Sequence, residues 1–177
     1  MEEEGGGVLR AVDLRLLAVL RDCGRDPRVA AAARALSWSG EHGALWLAAG
    51  LAGAAVDRER RADWLRAVAL TAAAHLASMG VKRLVRRPRP GHVEPLVRTA
   101  GRHSFPSSHA TSAVAATIAY GALRPAGARL TAPLAAAMCV SRMVVGVHYP
   151  SDVAAGAALG AFAAKAATTR RGARTDV

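Results

Sequence analysis

The first apolar pattern along the chain is the spacing of a helix, within residues 8–22. Its apolar positions recur every three or four residues, with arginines and aspartates between them: Val8, Val12, Leu16, Val19 and Leu20. This spacing is typical of an amphipathic helix that lies on a protein surface or at a membrane interface. We therefore expect an N-terminal amphipathic region over residues 1–40.

Five weakly polar stretches follow, and each is long enough to form a helix. They cover residues 43–56, 64–81, 110–123, 130–147 and 153–168. Small residues dominate these stretches, and the pair Gly156 and Gly160 has the GxxxG spacing that lets helices pack closely in lipid. The pattern predicts an all-α fold, a helical transmembrane bundle of about five spanning helices plus the N-terminal amphipathic helix.

The membrane assignment depends on segment length and on what separates the segments. A spanning helix needs about 20 mostly apolar residues, whereas these stretches are short and the mean hydropathy of the chain is only +0.17. Brief basic segments nevertheless separate them, and Trp46 and Trp64 stand near segment ends, where indole rings favour the membrane interface. We favour a membrane bundle over a soluble one, built as a single domain over residues 1–177 with a motif-bearing core at 64–168.

The chain is strongly basic, with a formal net charge of +11. That charge fits a membrane protein with basic loops, and it also fits a helical nucleic-acid-binding protein or a non-catalytic lipid-binding protein. Nucleic-acid binding would leave the ordered histidine and aspartate clusters described below unexplained, so we expect no nucleic-acid partner. Cys23 and Cys139 do not resemble a disulfide framework, and the acidic N-terminus lacks the pattern of a secretory signal.

Two polar clusters interrupt the apolar pattern in the last third of the chain. Arg142 stands in an apolar stretch, which is costly unless a buried anion reaches it, it snorkels to an interface, or a structural carboxylate pairs with it. His148 and Asp152 follow, and a carboxylate four residues after an imidazole can accept its ring N–H and make the other nitrogen a better nucleophile. Taken alone, this second cluster is better explained as an ordinary turn in which the aspartate caps a helix.

A further cluster precedes the helix predicted at 110–123. Pro106, Ser107 and Ser108 indicate a helix start, where free backbone N–H groups and the helix dipole can hold an anion. His109 follows in the first turn, where it could donate a proton to a leaving oxygen. Taken alone, this histidine is better explained as a polar residue near a membrane interface.

Together with the basic run VKRLVRRPRP at 81–90, these clusters resemble the type 2 phosphatidic acid phosphatase (PAP2) family, the lipid phosphate phosphatases related to vanadium haloperoxidases. The family motifs are K-x6-R-P, P-S-G-H and S-R-x5-H-x3-D, and three spaced motifs in order are highly specific. This chain departs from them only at Ser108, where glycine is usual. Serine resists some backbone conformations that glycine allows, so we expect a slightly reshaped loop that keeps its activity.

The resemblance implies a role for each matching residue. The phosphate-binding group would be Lys82, Arg89, Ser107, Ser108 and Arg142. His148 would attack phosphorus to form a phosphohistidine, Asp152 would orient its ring, and His109 would protonate the departing alcohol. The resemblance implies a metal-independent phosphatase with no cofactor, and the histidine and carboxylate spacings do not suggest a metal cage.

The remaining basic residues and histidines receive no catalytic role. Three arginines of the run at 81–90 are interpreted as a solvated charged face or as contacts to anionic lipid, in preference to secondary substrate contacts: Arg83, Arg86 and Arg87. Nothing marks His92 or His103 as catalytic. His42 and His75 are expected to be interfacial or packing residues.

The resemblance also implies a substrate class, a lipid-linked phosphomonoester. The short chain looks most like small bacterial members that act on polyprenyl-linked phosphates in cell-envelope synthesis, of the type that dephosphorylates decaprenylphosphoryl-5-phosphoribose. Undecaprenyl diphosphate and phosphatidic acid are the alternative substrates. The expected partners are this lipid substrate and membrane lipids, and a homo-oligomer is left open.

The expected location is the cell membrane, with several spans. Five spans place the motif loops on the same side as the N-terminus, and without a signal sequence that side is cytoplasmic. We therefore expect an active site that faces the cytoplasm. If residues 8–22 also cross the membrane, this orientation inverts.

Overall fold

The computed structural model describes the backbone of residues 2–99 and 101–175, and the side chains of residues 7–99 and 101–167. Within these ranges it contains seven α-helices, one short 3₁₀ helix at Glu41–Gly43 and no β-strand. The α-helices are α1 (Glu2–Cys23), α2 (Pro27–Ser39), α3 (Ala44–Val56), α4 (Arg61–Val85), α5 (Ser108–Leu123), α6 (Pro125–Val144) and α7 (Pro150–Thr175). The all-α prediction is confirmed, and every predicted helical stretch coincides with one of these helices.

Capping residues fix where two of the helices begin. Asp26 caps α2, because its side chain accepts hydrogen bonds from the backbone N–H groups of Arg28 and Val29. Ser107 caps α5 through the N–H of Ala110. The helix α2 was not predicted, because its alanine-rich sequence lacks a clear apolar stripe.

The helix α5 lies at the centre of the bundle and packs against α4, α6 and α7. Its buried apolar positions are mostly small: Ala110, Ala113, Ala115, Ala116 and Ala119. Trp46 of α3 and Trp64 of α4 fill the space beside these alanines, and the Trp64 ring centroid lies 5.4 Å from that of Tyr120. Our expectation that these two tryptophans lie at a membrane interface is wrong, because both indole rings are buried in the protein core.

Two glycines bring α7 directly against the backbone of α5. A Cβ atom on Gly156 would clash with the carbonyl oxygen of Ser107, and one on Gly160 would clash with that of Thr111. The close packing predicted from this GxxxG spacing is confirmed. The contact positions the site, because the two helices run in the same direction and their N-termini come together at one end of the bundle.

Within the described residues, one helix, α4, is long and apolar enough to cross a membrane. Large apolar side chains are exposed on several other helices, and those on α1 include most of its predicted stripe: Val8, Val12, Leu16 and Val19. The face of α1 that packs against the bundle carries Asp13 and Leu17 instead. The count of five spanning helices stays a prediction.

Candidate active site

A cavity of about 110 Å³ lies where the N-terminus of α5 and the loop before α7 meet the C-terminal end of α4. Four histidines and four cations line it, and the motif residues among them are His109, His148, Lys82, Arg89 and Arg142. The three sequence motifs, which are far apart along the chain, therefore meet around one small space.

His148 lies in the loop between α6 and α7, and its side chain is almost completely buried. Its Nδ1 lies 3.6 Å from Oδ2 of Asp152, and its Nε2 lies 3.5 Å from Nη1 of Arg89. Oδ2 of Asp152 also accepts a 2.8 Å hydrogen bond from the backbone N–H of Tyr149, which holds the carboxylate beside the ring. One edge of the imidazole therefore faces a carboxylate, and the other faces the cations of the cavity.

The environment of His148 favours the neutral ring. Burial is the largest cause that holds the pKa of His148 well below its ordinary value, and the neighbouring cations Arg142, Arg89 and Lys82 act in the same direction. A neutral imidazole keeps a lone pair on one nitrogen, and that lone pair is what nucleophilic attack requires.

Arg142 is a buried cation near the C-terminal end of α6, and only 3% of it is exposed. Its Nη1 donates to the hydroxyl of Ser37, at the end of α2, whereas its Nε has no hydrogen-bond partner among the described residues. No carboxylate among the described residues forms an ion pair with it, although Glu41, which lines the same cavity, attracts its charge. Of the three explanations open from the sequence, a bound anion therefore fits best.

Lys82 lies at the C-terminal end of α4, and Arg89 lies in the loop that follows this helix. Lys82 lies in the last turn of α4 and is mostly buried. Arg89 is held by two backbone carbonyls, because its Nε donates to Gly101 at 2.8 Å and its Nη1 donates to Val147 at 2.9 Å. Together with Arg142, these side chains are the three motif cations of the cavity, a set suited to the oxygens of a phosphoryl group, and Arg98 lines the same cavity.

His109 lies in the first turn of α5, and its Nε2 is 2.9 Å from the carbonyl oxygen of Ser37. A carbonyl oxygen can only accept, so Nε2 carries the proton of this contact and Nδ1 is the nitrogen left for a ligand. Of the two serines in this motif, Ser108 lines the cavity. Ser107 is fully buried, and its hydroxyl caps the helix.

Three residues that are not fixed positions of the motifs support the site, and sequence reasoning gave them no such role: Asp13, Ser37 and Arg87. We interpreted Arg87 as part of a solvated or lipid-facing surface, but its guanidinium donates to Asp13 at 2.8 Å and to Asp152 at 2.9 Å. That interpretation is wrong, because two buried carboxylates draw the side chain inward. The apolar pattern of α1 did not indicate this contact, because the predicted stripe contained Leu16, whereas the buried face carries Asp13 and Leu17.

The other residues with no predicted catalytic role divide into two groups. Arg83 and Arg86 are exposed, as expected. His42 and His75, expected to be interfacial or packing residues, both line the cavity, so each is close enough to contact a ligand there.

Three comparisons relate the chain to known proteins. A family model described as "PAP2 superfamily" matches residues 63–176. The chain is 47% identical over 137 residues to the decaprenylphosphoryl-5-phosphoribose phosphatase of Mycobacterium tuberculosis, with 76% of each chain covered. It is 44% identical over 151 residues to the protein of the same name from Mycolicibacterium smegmatis, covering 83% of this chain and 82% of the relative.

A solved structure shows the same fold at low sequence identity. It is the transmembrane PAP2-type phosphatidylglycerolphosphate phosphatase from Bacillus subtilis, which is 20% identical to the chain. The TM-score is 0.61, and the alignment covers 93% of this chain and 94% of the other.

Proposed function

Because the chain belongs to the PAP2 superfamily, we propose that it is a membrane lipid phosphatase that hydrolyses a phosphomonoester of a polyprenyl-linked substrate. The observation that carries this proposal is the cavity lined by His148, His109 and the three motif cations Lys82, Arg89 and Arg142. The names of the relatives, at 44% and 47% identity over most of the chain, support decaprenylphosphoryl-5-phosphoribose as the substrate.

The first chemical step forms a phosphohistidine. Nε2 of His148 attacks phosphorus while the phosphorus–oxygen bond to the substrate alcohol breaks. The departing oxygen takes a proton from Nδ1 of His109, which enters the step as an imidazolium and keeps its Nε2–H on the Ser37 carbonyl. Asp152, whose Oδ2 lies 3.6 Å from Nδ1 of His148, moves within hydrogen-bond distance of the Nδ1–H during the reaction, which keeps the lone pair on Nε2. Lys82, Arg89 and Arg142 stabilise the charge on the phosphoryl oxygens during this transfer.

The second step releases inorganic phosphate. Water attacks phosphorus and gives a proton to His109, while the phosphorus–nitrogen bond breaks and Nε2 of His148 regains its lone pair. All the positive charge in this scheme comes from side chains, so the proposed mechanism uses no metal ion and no cofactor.

We further propose that the protein crosses the cell membrane several times, with the site open to the cytoplasm. The apolar helix α4 and the exposed apolar side chains of α1 support contact with lipid. A Gly91→Cys variant in a background without Cys23 and Cys139 tests the orientation, because Gly91 is exposed on the loop after α4. A membrane-impermeant maleimide should label it only after the cells are permeabilised, and labelling in intact cells contradicts a cytoplasmic site.

Phosphate release by the detergent-purified protein tests the function. The substrates to compare are decaprenylphosphoryl-5-phosphoribose, undecaprenyl diphosphate and phosphatidic acid, and the first should react fastest. His148→Ala should lower turnover by at least about 10³-fold, whereas His92→Ala, which replaces an exposed histidine on the loop between α4 and α5, should leave it unchanged. Full activity in His148→Ala contradicts the mechanism, and lipid binding without phosphate release points to a non-catalytic protein.

A further inference from the structure

The N-terminal helix α1 places one buried carboxylate against the active site. Asp13 is 4% exposed, whereas Arg10, Arg15 and Asp22 of the same helix are exposed. Its Oδ1 accepts a 2.9 Å hydrogen bond from the backbone N–H of Ser151, and its Oδ2 accepts one of 2.5 Å from the Ser151 hydroxyl. This N–H belongs to the first turn of α7, where helix N–H groups have no partner within their own helix. Asp13 therefore caps α7 from a different helix.

The same carboxylate holds Arg87. Nη2 of Arg87 donates to Oδ2 of Asp13 at 2.8 Å, while Nη1 donates to Oδ1 of Asp152 at 2.9 Å and to the Ser151 hydroxyl at 2.7 Å. The guanidinium also lies 4.2 Å from the centroid of the Tyr149 ring. A planar guanidinium fixed by two carboxylates and an aromatic face has little freedom to rotate.

The chain of contacts ends at the nucleophile. Arg87 binds one oxygen of Asp152, and the other oxygen faces Nδ1 of His148 at 3.6 Å. The orientation of that carboxylate, and with it the direction of the imidazole, therefore depends on a guanidinium that Asp13 anchors from behind.

We propose that Asp13 is a positioning residue for catalysis, acting through Arg87 and the first turn of α7 to orient Asp152 toward His148. This inference rests on the proposed function, since it assumes that His148 is the nucleophile. It extends the catalytic unit beyond the segment matched by the family model, which begins at residue 63. It also gives α1 a second role besides contact with lipid.

The test removes the negative charge of the Asp13 side chain and keeps its shape. Asp13→Asn should lower kcat by about 10- to 100-fold, the range seen when groups that orient catalytic residues are removed, and KM should stay within about threefold. Asp22→Asn is the matched control, because Asp22 lies on the same helix, is exposed and pairs only with Arg25 among the described residues. The control should keep wild-type turnover.

Vanadate binding distinguishes a positioning role of Asp13 from a loss of folded protein in the variant. Vanadate resembles the trigonal-bipyramidal phosphoryl group, so its affinity reports the geometry of the site, whereas its stoichiometry reports the fraction of folded sites. Asp13→Asn should weaken the affinity at unchanged stoichiometry. Reduced stoichiometry at unchanged affinity means a purely structural role and overturns the proposal.

A double-mutant cycle tests the route through Arg87. If Asp13 acts through this guanidinium, Asp13→Ala and Arg87→Ala together should lower kcat about as much as Arg87→Ala alone. Losses that multiply, or an Asp13→Asn variant that behaves like Asp22→Asn, overturn the inference.

The outcomes also separate this inference from the proposed function. If the wild type binds vanadate but hydrolyses none of the lipid phosphates, the proposed function fails, and the vanadate affinities still decide whether Asp13 positions the site. If the wild type does neither, both proposals are overturned.

Discussion

The N-terminal helices α1 and α2 and the later helices α4 to α7 contribute to the cavity in different ways. The helices α4 to α7 and their loops supply most of the groups that line the cavity, including His148 and Arg142, and Ser37, Glu41 and His42 complete its wall. The helices α1 and α2 hold those groups in place, since Asp13 anchors Arg87 and Ser37 contacts both Arg142 and His109. Chemistry restricts the residue types at the first set of positions, whereas the second set needs only an acceptor at the right place. The catalytic unit is therefore larger than the segment that its motifs mark.

Among the variants that test this comparison, replacement of a motif residue should lower turnover most. Arg142→Gln removes a buried cation that has few protein partners, and turnover should fall by about 10² to 10³-fold. The matched control is Arg83→Gln, an exposed arginine of the same basic protein, which should change turnover in detergent by less than about twofold. Steady-state kinetics of both variants give the measurement, and equal losses would mean that net charge, and not the position of the cation, sets the rate.

A second variant tests the contact that joins α5 to α7. Gly160→Ala places a methyl group against the backbone of α5, and should lower the free energy of unfolding by about 1–3 kcal/mol. Gly80→Ala is the control, because no atom lies within 4 Å of the added Cβ, and alanine should instead stabilise α4 by up to about 1 kcal/mol. Thermal unfolding in detergent distinguishes them, and equal midpoints would contradict the tight α5–α7 contact.

Replacement of a supporting residue in α2 should lower turnover less. Ser37→Ala removes the hydroxyl that accepts from Arg142 but keeps the backbone carbonyl that contacts His109. Turnover should fall by about tenfold, as expected for one hydrogen bond to a charged group. If kcat/KM falls as far as it does in Arg142→Gln, the distinction between ligand-facing and supporting groups does not hold.

The smallest effect is expected in the titration of His148, which should show no midpoint between pH 8 and pH 6. A histidine with an ordinary pKa of about 6.5 would be about three-quarters protonated at pH 6. Since burial and nearby cations hold the pKa of His148 well below that value, its ring should stay neutral as the pH falls from 8 to 6. NMR of ring-labelled histidine gives the measurement, with His148→Gln to assign the signal, and a midpoint near pH 6.5 would contradict the buried environment.

Sequence patterns were sufficient for the helices and for the groups that perform chemistry. Apolar periodicity located six of the helices, and the motif residues His109, Arg142 and His148 could be found because few side chains can replace them. The alanine-rich α2 escaped detection, since alanine is compatible with any face of a helix. Arg87 was misinterpreted for a related reason, because its partner Asp13 is 74 residues away and nothing in the local sequence shows that the two meet.

The glycine contact between α5 and α7 limits where this enzyme can adapt to a new substrate. Because no side chain lies between the two helices at this contact, no smaller residue can replace these glycines to enlarge the space around phosphorus. The loop between α4 and α5 is not constrained in this way, and several of its residues also line a second, larger hollow of about 430 Å³ that shares Arg89, Arg98 and Thr99 with the cavity. Discrimination among alcohols should therefore evolve at the mouth of the site, while the machinery beneath it stays fixed.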